Sequence, residues 1–581
     1  MNLESLANEL LLDIFQYLSS ANLLHAFYNL NNRFNSLLLR HSQNYDLDFQ
    51  SISKDDFNTM CRHLSFISNQ VTSLHLSDKH NTPGQIDQFC SFGFTLHQFV
   101  YLQSLSIYHL HSEDIMNTLL LSLPHLSLIS DITFKECSFS YDETNSQTFV
   151  NILWNLPKLI NCHLDIQLKP QTHFPVSTVL SSTIESLFIT DINPQNSQLA
   201  LLFKNTPHLR NLSIDFHLNF SNEPPVLITT SIITLNVSFF TIEDQILVNL
   251  FQIMPNLLQL TIDLPDTYID GQIWERIIEK YLPQLKIFQF RMNDELDDDD
   301  DDKDEKEEIN ERVNHFQSSF WLDKYQLVVR CDYNLLSHNM IIYSLPYAFD
   351  NFYFQYPILS ISTQSNDDNV SSSYNQVHRL TCKTNLSNKS SISSIIQFTQ
   401  IRELCIHLPI NNYFWNIIPR LERIKILDIL ISNEYNENYE IQLKTLFDKI
   451  SNVSIVRFRN WSSINLPISP IQKISLSLSQ LDLMWYKWYN LEKCTLLTQM
   501  LINTSCKILL IDVKNRKCIL KIINTMNNLQ SLHVRCQDDT FNHNIISAKD
   551  ELIEWVQQYI PISYTITRDN YPINCIRLWI S

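Results

Sequence analysis

The chain has 581 residues, 44% of them hydrophobic and 18% charged, so most of its length has enough apolar content to bury a core. Its three glycines, Gly84, Gly93 and Gly271, are too few and too widely spaced for a phosphate-cradling loop, a dinucleotide fingerprint or a G-x-S-x-G elbow. The net charge of −19 shows no basic nucleic-acid footprint, and −10 of it comes from one run of twelve acids and two lysines, Asp294–Glu308.

The first forty residues read as three short helices. Leu10, Leu11, Ile14, Phe15 and Leu18 recur at three- and four-residue spacing behind Asn8, a cap residue. Ser19 and Ser20 break that helix and cap a second one carrying Leu23, Leu24 and Phe27. Phe34, Leu37 and Leu38 mark a third. Helices this short need a partner surface, in this chain or another. The segment resembles an F-box: Leu6, Glu9, Leu10, Leu11, Ile14, Phe15, Tyr17 and Leu18 match the family's first helix, Leu23 and Leu24 its second, and Arg33 with Phe34 the start of its third. It departs from the family at Ala7, Asn22, Asn31 and Asn35, where proline, an acid, cysteine and tryptophan are usual. The resemblance implies docking of a Skp-type adaptor, and through it a cullin scaffold, by Leu6, Leu10, Leu11, Ile14, Phe15, Leu18, Leu23, Leu24, Phe27 and Arg33. The alternative is that these leucines only cap the array of repeats C-terminal to them.

One pattern then recurs, cleanest in PKLINCHLD from Pro157, PHLRNLSID from Pro207 and PNLLQLTID from Pro255. Copies starting at 71, 102, 129, 159, 184, 209, 232, 257 and 285 step by 23 to 31 residues, close to the leucine-rich-repeat period of about 20–29. Short helices are expected between them at Ser112–Ser122, Ser197–Asn205, Ile242–Met254 and Gln272–Leu282, several followed by proline. Each unit is a helix, a break and a strand that hides its apolar face only by stacking on its neighbours.

The acidic run 294–308 has no apolar periodicity and is expected to be a solvated loop. Beyond it, Trp321–Asp332 and Asn339–Phe354 read as strands. The pattern resumes at Val377, Ile401, Leu421, Val453, Ile471 and Leu529, with helices at Glu440–Ile450, Lys517–Met526 and Ala548–Tyr559, and YTIT and CIRLWIS close the chain. The expected fold class is therefore α/β: an F-box-like helical module over 1–45, then leucine-rich-repeat-like blocks over 50–293 and 309–581. These resemble the divergent repeats found after many F-boxes.

Chemistry is weakly signalled. His109 and His111 form one H-x-H pair without further zinc-spaced ligands, and the twelve cysteines include no C-x-x-C. They read as reduced, buried thiols. No cofactor, nucleic acid or membrane partner is expected, no enzyme activity is nominated, and the cytoplasm or nucleus is the expected location. Alternating strand side chains place polar residues on a concave face. In the first block these are Asn161, His163, Asp165, then Asn211, Ser213, Asp215, then Gln259, Thr261, Asp263. In the second they include Arg379, Lys383, Arg423, Lys425, Arg457, Arg459, Lys473 and Arg535, a basic ladder suited to an acidic or phosphorylated substrate, to the chain's own acidic run, or to solvent alone. By resemblance the chain is the substrate-recognition subunit of an SCF-type cullin-RING ubiquitin ligase; the alternatives are a binding scaffold without a ligase link and an unrecognised hydrolase.

Overall fold

Three short helices open the chain at Asn8–Phe15, Ser20–Phe27 and Asn32–Arg40. This computed structural model describes residues 3–40, 45–141, 143–168, 175–190, 196–216, 230–295, 305–356, 358–364, 372–384, 396–431, 438–459, 477–485, 487–539, 550–569 and 575–581. Ser19 caps the second helix, its Oγ accepting the Asn22 N–H at 3.2 Å. Asn8 is not the cap expected of it. It is the first helical residue after Ala7, and its side chain accepts from Arg33 Nε at 2.9 Å.

From Tyr45–Asp48 to Ile287–Glu295, ten parallel strands lie side by side in chain order. They include Val71–Ser77, Ser104–Tyr108, Asp131–Phe139, Asn161–Leu168, Asn211–Phe216 and Gln259–Leu264, at the expected copies. Along Gln259–Leu264 every second side chain is buried, as a sheet with one covered face requires. The helices Glu113–Ser122, Asn196–Asn205, Asp244–Gln252 and Gly271–Tyr281 fall between strands, and their buried residues join those of the strands in one core with the N-terminal helices.

The first sheet does not stop at the acidic run. Ile287–Glu295 pairs antiparallel with Asn339–Leu345, then come Val328–Asn334 and Ile358–Ser362. Asp294 and Glu295 thus end a strand, and Glu305–Glu308 open the helix Glu305–Asn314. The expected loop is narrower at both ends, and 296–304 lies outside the described residues. The stretch expected as a strand from Trp321 begins instead as the helical turn Phe320–Lys324, with Phe320 and Trp321 buried. A short apolar run does not distinguish the two by periodicity. The aromatic stretch from Asn339 divides at Pro346 into strands belonging to different sheets, since proline donates nothing to a ladder.

A second sheet runs in order and parallel through Asn351–Tyr356, Arg379–Thr384, Glu403–Leu408, Ile426–Ile431, Ile455–Arg459, Gln480–Asp482, Ile508–Val513 and Ser531–Cys536. Cys575–Trp579 and Thr565–Asp569 complete it as an antiparallel hairpin, at the two closing strands read from the sequence. At the seam between sheets, the Asp332 carboxylate accepts from Arg330 Nε at 3.1 Å, Tyr343 OH at 2.5 Å and Ser360 Oγ at 2.5 Å. Arg330 is 2% exposed and Asp332 5%.

The closing hairpin returns to the beginning of the chain. Lys54 Nζ donates to Thr565 Oγ1 at 2.6 Å and to the Trp579 carbonyl at 3.1 Å. Arg577 donates to the Asp78 carbonyl, and His533 Nε2 to the His80 carbonyl, each at 2.9 Å. Phe57 and Trp579 pack with tilted rings, centroids 5.3 Å apart. Gly84 sits in the left-handed region, φ 73°, against this hairpin, and a Cβ there would lie 2.7 Å from Thr567 Cγ2.

This junction titrates in two directions. Burial, with His80 and Arg577 beside it, pushes His533 well below the ordinary imidazole value. Burial pushes the Asp78 carboxyl up to about 6, with Arg577 and the Ile86 N–H opposing. The His533 contribution is complete above the unfolded value of about 6.5 and is lost as pH falls. The Asp78 contribution is complete below about 4 and is lost as pH rises through about 6. Thermal melts of His533→Gln are therefore expected to lose less stability than wild type between about pH 6.5 and 5, while Asp78→Asn loses less between about pH 4 and 6 on raising pH. Equal pH profiles for wild type and His533→Gln would remove that group from the junction's titration.

Candidate functional site

The N-terminal helices have two faces. Leu11, Phe15, Leu23, Leu24 and Phe27 are buried, so these five build the module's own core and are closed to an adaptor as the chain stands. Phe15, Phe27 and Phe34 pack in series, and Tyr28 packs against His63 and, edge-on, Phe66 of the helix Lys54–Ile67. The module therefore also seals the first end of the sheet. Arg33 is a staple within it, donating to the Glu4 and Leu6 carbonyls and to Asn8 Oδ1. Leu6, Ile14 and Leu18 are half-buried. Leu10 alone of the ten is exposed, at 52%, together with Leu3, Tyr17 at 89% and Leu30, which the sequence reading did not assign to docking. A helical repeat of leucines shows that a face is apolar. It does not show which of two apolar faces the rest of the chain covers.

The second surface is the face of the sheets on which strands such as Asn161–Leu168, Asn211–Phe216 and Glu403–Leu408 leave every other side chain at least partly exposed. In the first sheet, cross-strand neighbours form a row of Ser73, Ser104, Asp131, Asn161, Ser186 and Asn211. His163 and Phe188 stack beside it with centroids 4.0 Å apart. Of the three aspartates read there, Asp165 Oδ2 accepts the Glu136 N–H at 3.2 Å, and Asp263 holds Arg291. Asp215 lies in register between Thr190 and Ser238.

The second sheet corrects the basic ladder. Its arginines alternate with carboxylates on neighbouring strands. Arg457 lies 3.3 Å from Glu403 and 3.2 Å from Asp428, and Arg459 lies 3.0 Å from Asp482. Arg535 binds Asp512 through Nε and Nη2, and Arg379 lies 2.8 Å from Asp350. Burial raises the Asp482 carboxyl and Arg459 opposes that shift. Arg423 and Lys425 are off the open face altogether, because Leu427, Ile429 and Ile431 point inward and leave positions 426, 428 and 430 outside. Arg423 reaches Gln400, while Lys425 is exposed. Lys383 is half-buried, and Lys473 lies outside the described residues. The acids were missed because Glu403 and Asp428 were not read on their strands and the strands Gln480–Asp482 and Ile508–Val513 were not found. Opposite charges paired across strands contribute roughly 0.2–1 kcal/mol each and leave little net field.

An aromatic loop joins this surface. Trp485 is 51% exposed at φ 66°, a conformation unfavourable for a bulky side chain. Its N–H donates to Asp512 Oδ2 at 2.9 Å, and its ring lies 3.9 Å from the Arg535 guanidinium, with Trp488 5.3 Å from the same group. The run Met484–Tyr489, with four aromatics in six residues, is the signal that could have found it.

His109 Nε2 lies 3.3 Å from Glu136, and His111 Nδ1 lies 2.7 Å from Ser138 Oγ, so the H-x-H pair faces two different partners. Among the described residues no group of three metal-ligating side chains comes together, no cysteine is in a disulfide, and no helix is long and apolar enough to cross a membrane. Cys90 and Cys405 are half-buried and the other ten cysteines buried. Comparison with models of protein families matched none of them, and comparison with curated proteins found none similar to this chain.

Proposed function

We propose that the chain is a non-catalytic substrate receptor of an SCF-type cullin-RING ubiquitin ligase, with an F-box-like module leading into a leucine-rich-repeat-like solenoid. The observation that carries this reading is the outer face of residues 3–30. Leu3, Leu10, Tyr17 and Leu30 stand exposed on a module whose other face is fully used by the chain itself. Apolar side chains presented on helices suit a helix-packing partner, here a Skp-type adaptor. The ordered strands support a repeat architecture, and their open face is the surface left for a protein substrate. Docking both partners on one chain would act by raising effective concentration rather than by chemistry on a bond.

The test is a pull-down with a Skp-type adaptor. Wild type and the surface control Ile562→Asp are expected to bind, and Leu10→Asp/Tyr17→Asp to lose binding while keeping its melting temperature. No binding by folded wild type sinks the ligase reading and leaves a protein-binding scaffold.

A further inference from the structure

At the seam between the sheets lies a cavity of about 250 Å³. Met340, Ile341, Tyr353, Phe354 and Ile358 give it an apolar wall. Every charged residue among its described lining is an acid: Asp266, Asp294, Glu295 and Asp332. Arg312 neutralises Asp294, and Arg330 neutralises Asp332. Asp266 and Glu295 are exposed and have no ion pair among the described residues, which leaves two uncompensated carboxylates at the cavity. Asn293 also lines it, and its Oδ1 is buried with no hydrogen-bond donor among the described residues.

We propose that this cavity binds an organic cation on an aliphatic stem, an alkylguanidinium or alkylammonium such as an arginine or lysine side chain carries. The stem lies against the apolar wall, and the half-exposed Tyr353 ring adds attraction for a cation. Asp266 and Glu295 supply the countercharge. An anion meets two unscreened carboxylates, and a neutral ligand leaves both without countercharge. The proposal is independent of adaptor docking. If the ligand is part of a substrate, it reverses the acidic preference that the isolated arginines suggested.

The experiment is calorimetric titration of the full chain with agmatine, with the peptide Ac-Ala-Arg-Ala-NH2, and with its norleucine counterpart, which has a similar stem and no charge. Saturable one-site binding of a cationic probe is expected, with the norleucine peptide inert over the same range. Asp266→Asn/Glu295→Gln changes two exposed residues and is expected to weaken the cation by about tenfold or more. Tyr353→Ala, at a residue 49% exposed, is expected to weaken it several-fold and so separates a local site from general attraction to an acidic protein. Tighter binding of agmatine assigns the site to a free cation, and tighter binding of the peptide assigns it to a polypeptide side chain. Absence of saturable binding by either cation, equal binding of norleucine, or affinity unchanged in the double variant overturns the proposal.

Discussion

Replacing Trp579 by alanine is expected to cost about 3–5 kcal/mol, the usual range for emptying a buried aromatic site. The side chain is fully buried, packs against Phe57 and lies under the Lys54 ammonium, and its backbone pairs with both Ser531 and Thr565. Its loss therefore loosens the last hairpin and the helix Lys54–Ile67 together. Thermal unfolding of Trp579→Ala beside Trp485→Ala checks this, since the second tryptophan is half-exposed in a loop and should cost clearly less. A similar small loss in both would mean that the closing hairpin contributes little to stability.

The second large effect is expected at the seam. Asp332→Ala removes the carboxylate that three donors share and leaves the Arg330 charge nearly inaccessible to solvent, which typically costs about 3–5 kcal/mol. Asp350→Ala is the comparison. That residue also holds two partners, His378 and Arg379, but is half-exposed, and the expected loss is within about 1 kcal/mol. Denaturant titration of the two variants reads the difference. Comparable losses would show that burial does not set the strength of these pairs.

The order of elements was legible because each unit carries its own signal. The leucines of PNLLQLTID place a strand at Gln259–Leu264, and the apolar spacing of the next segment places the helix Gly271–Tyr281. What depends on a neighbour was not legible. Arg457 reads as a free cation in its own strand, and only the register with Asp428 shows that it is balanced. Leu11 and Leu10 are adjacent and chemically identical, yet one is buried and the other half-exposed, because packing against the rest of the chain decides which face is covered. The seam cavity draws Asp266, Asn293, Tyr353 and Ile358 from separate strands and turns, so no local pattern announces it. The continuation of the first sheet was not legible because Val328–Asn334 and Asn339–Leu345 carry an apolar strand pattern of their own, and only the pairing of the latter with Ile287–Glu295 joins them to that sheet.

The bond from Lys54 to the Trp579 carbonyl spans 525 residues of sequence. In a series of stacked units, each contact is local and one end can settle while the other is still being made. Here the first helices and the first strands receive their last neighbours from the final residues of the chain. At synthesis rates of about 5–20 residues per second, roughly half a minute to two minutes separate the appearance of Lys54 from that of Trp579. Throughout that interval the nascent chain presents an unsealed apolar end beside Phe57. A chain without Cys575–Ser581 would keep almost every unit intact and leave that end permanently open.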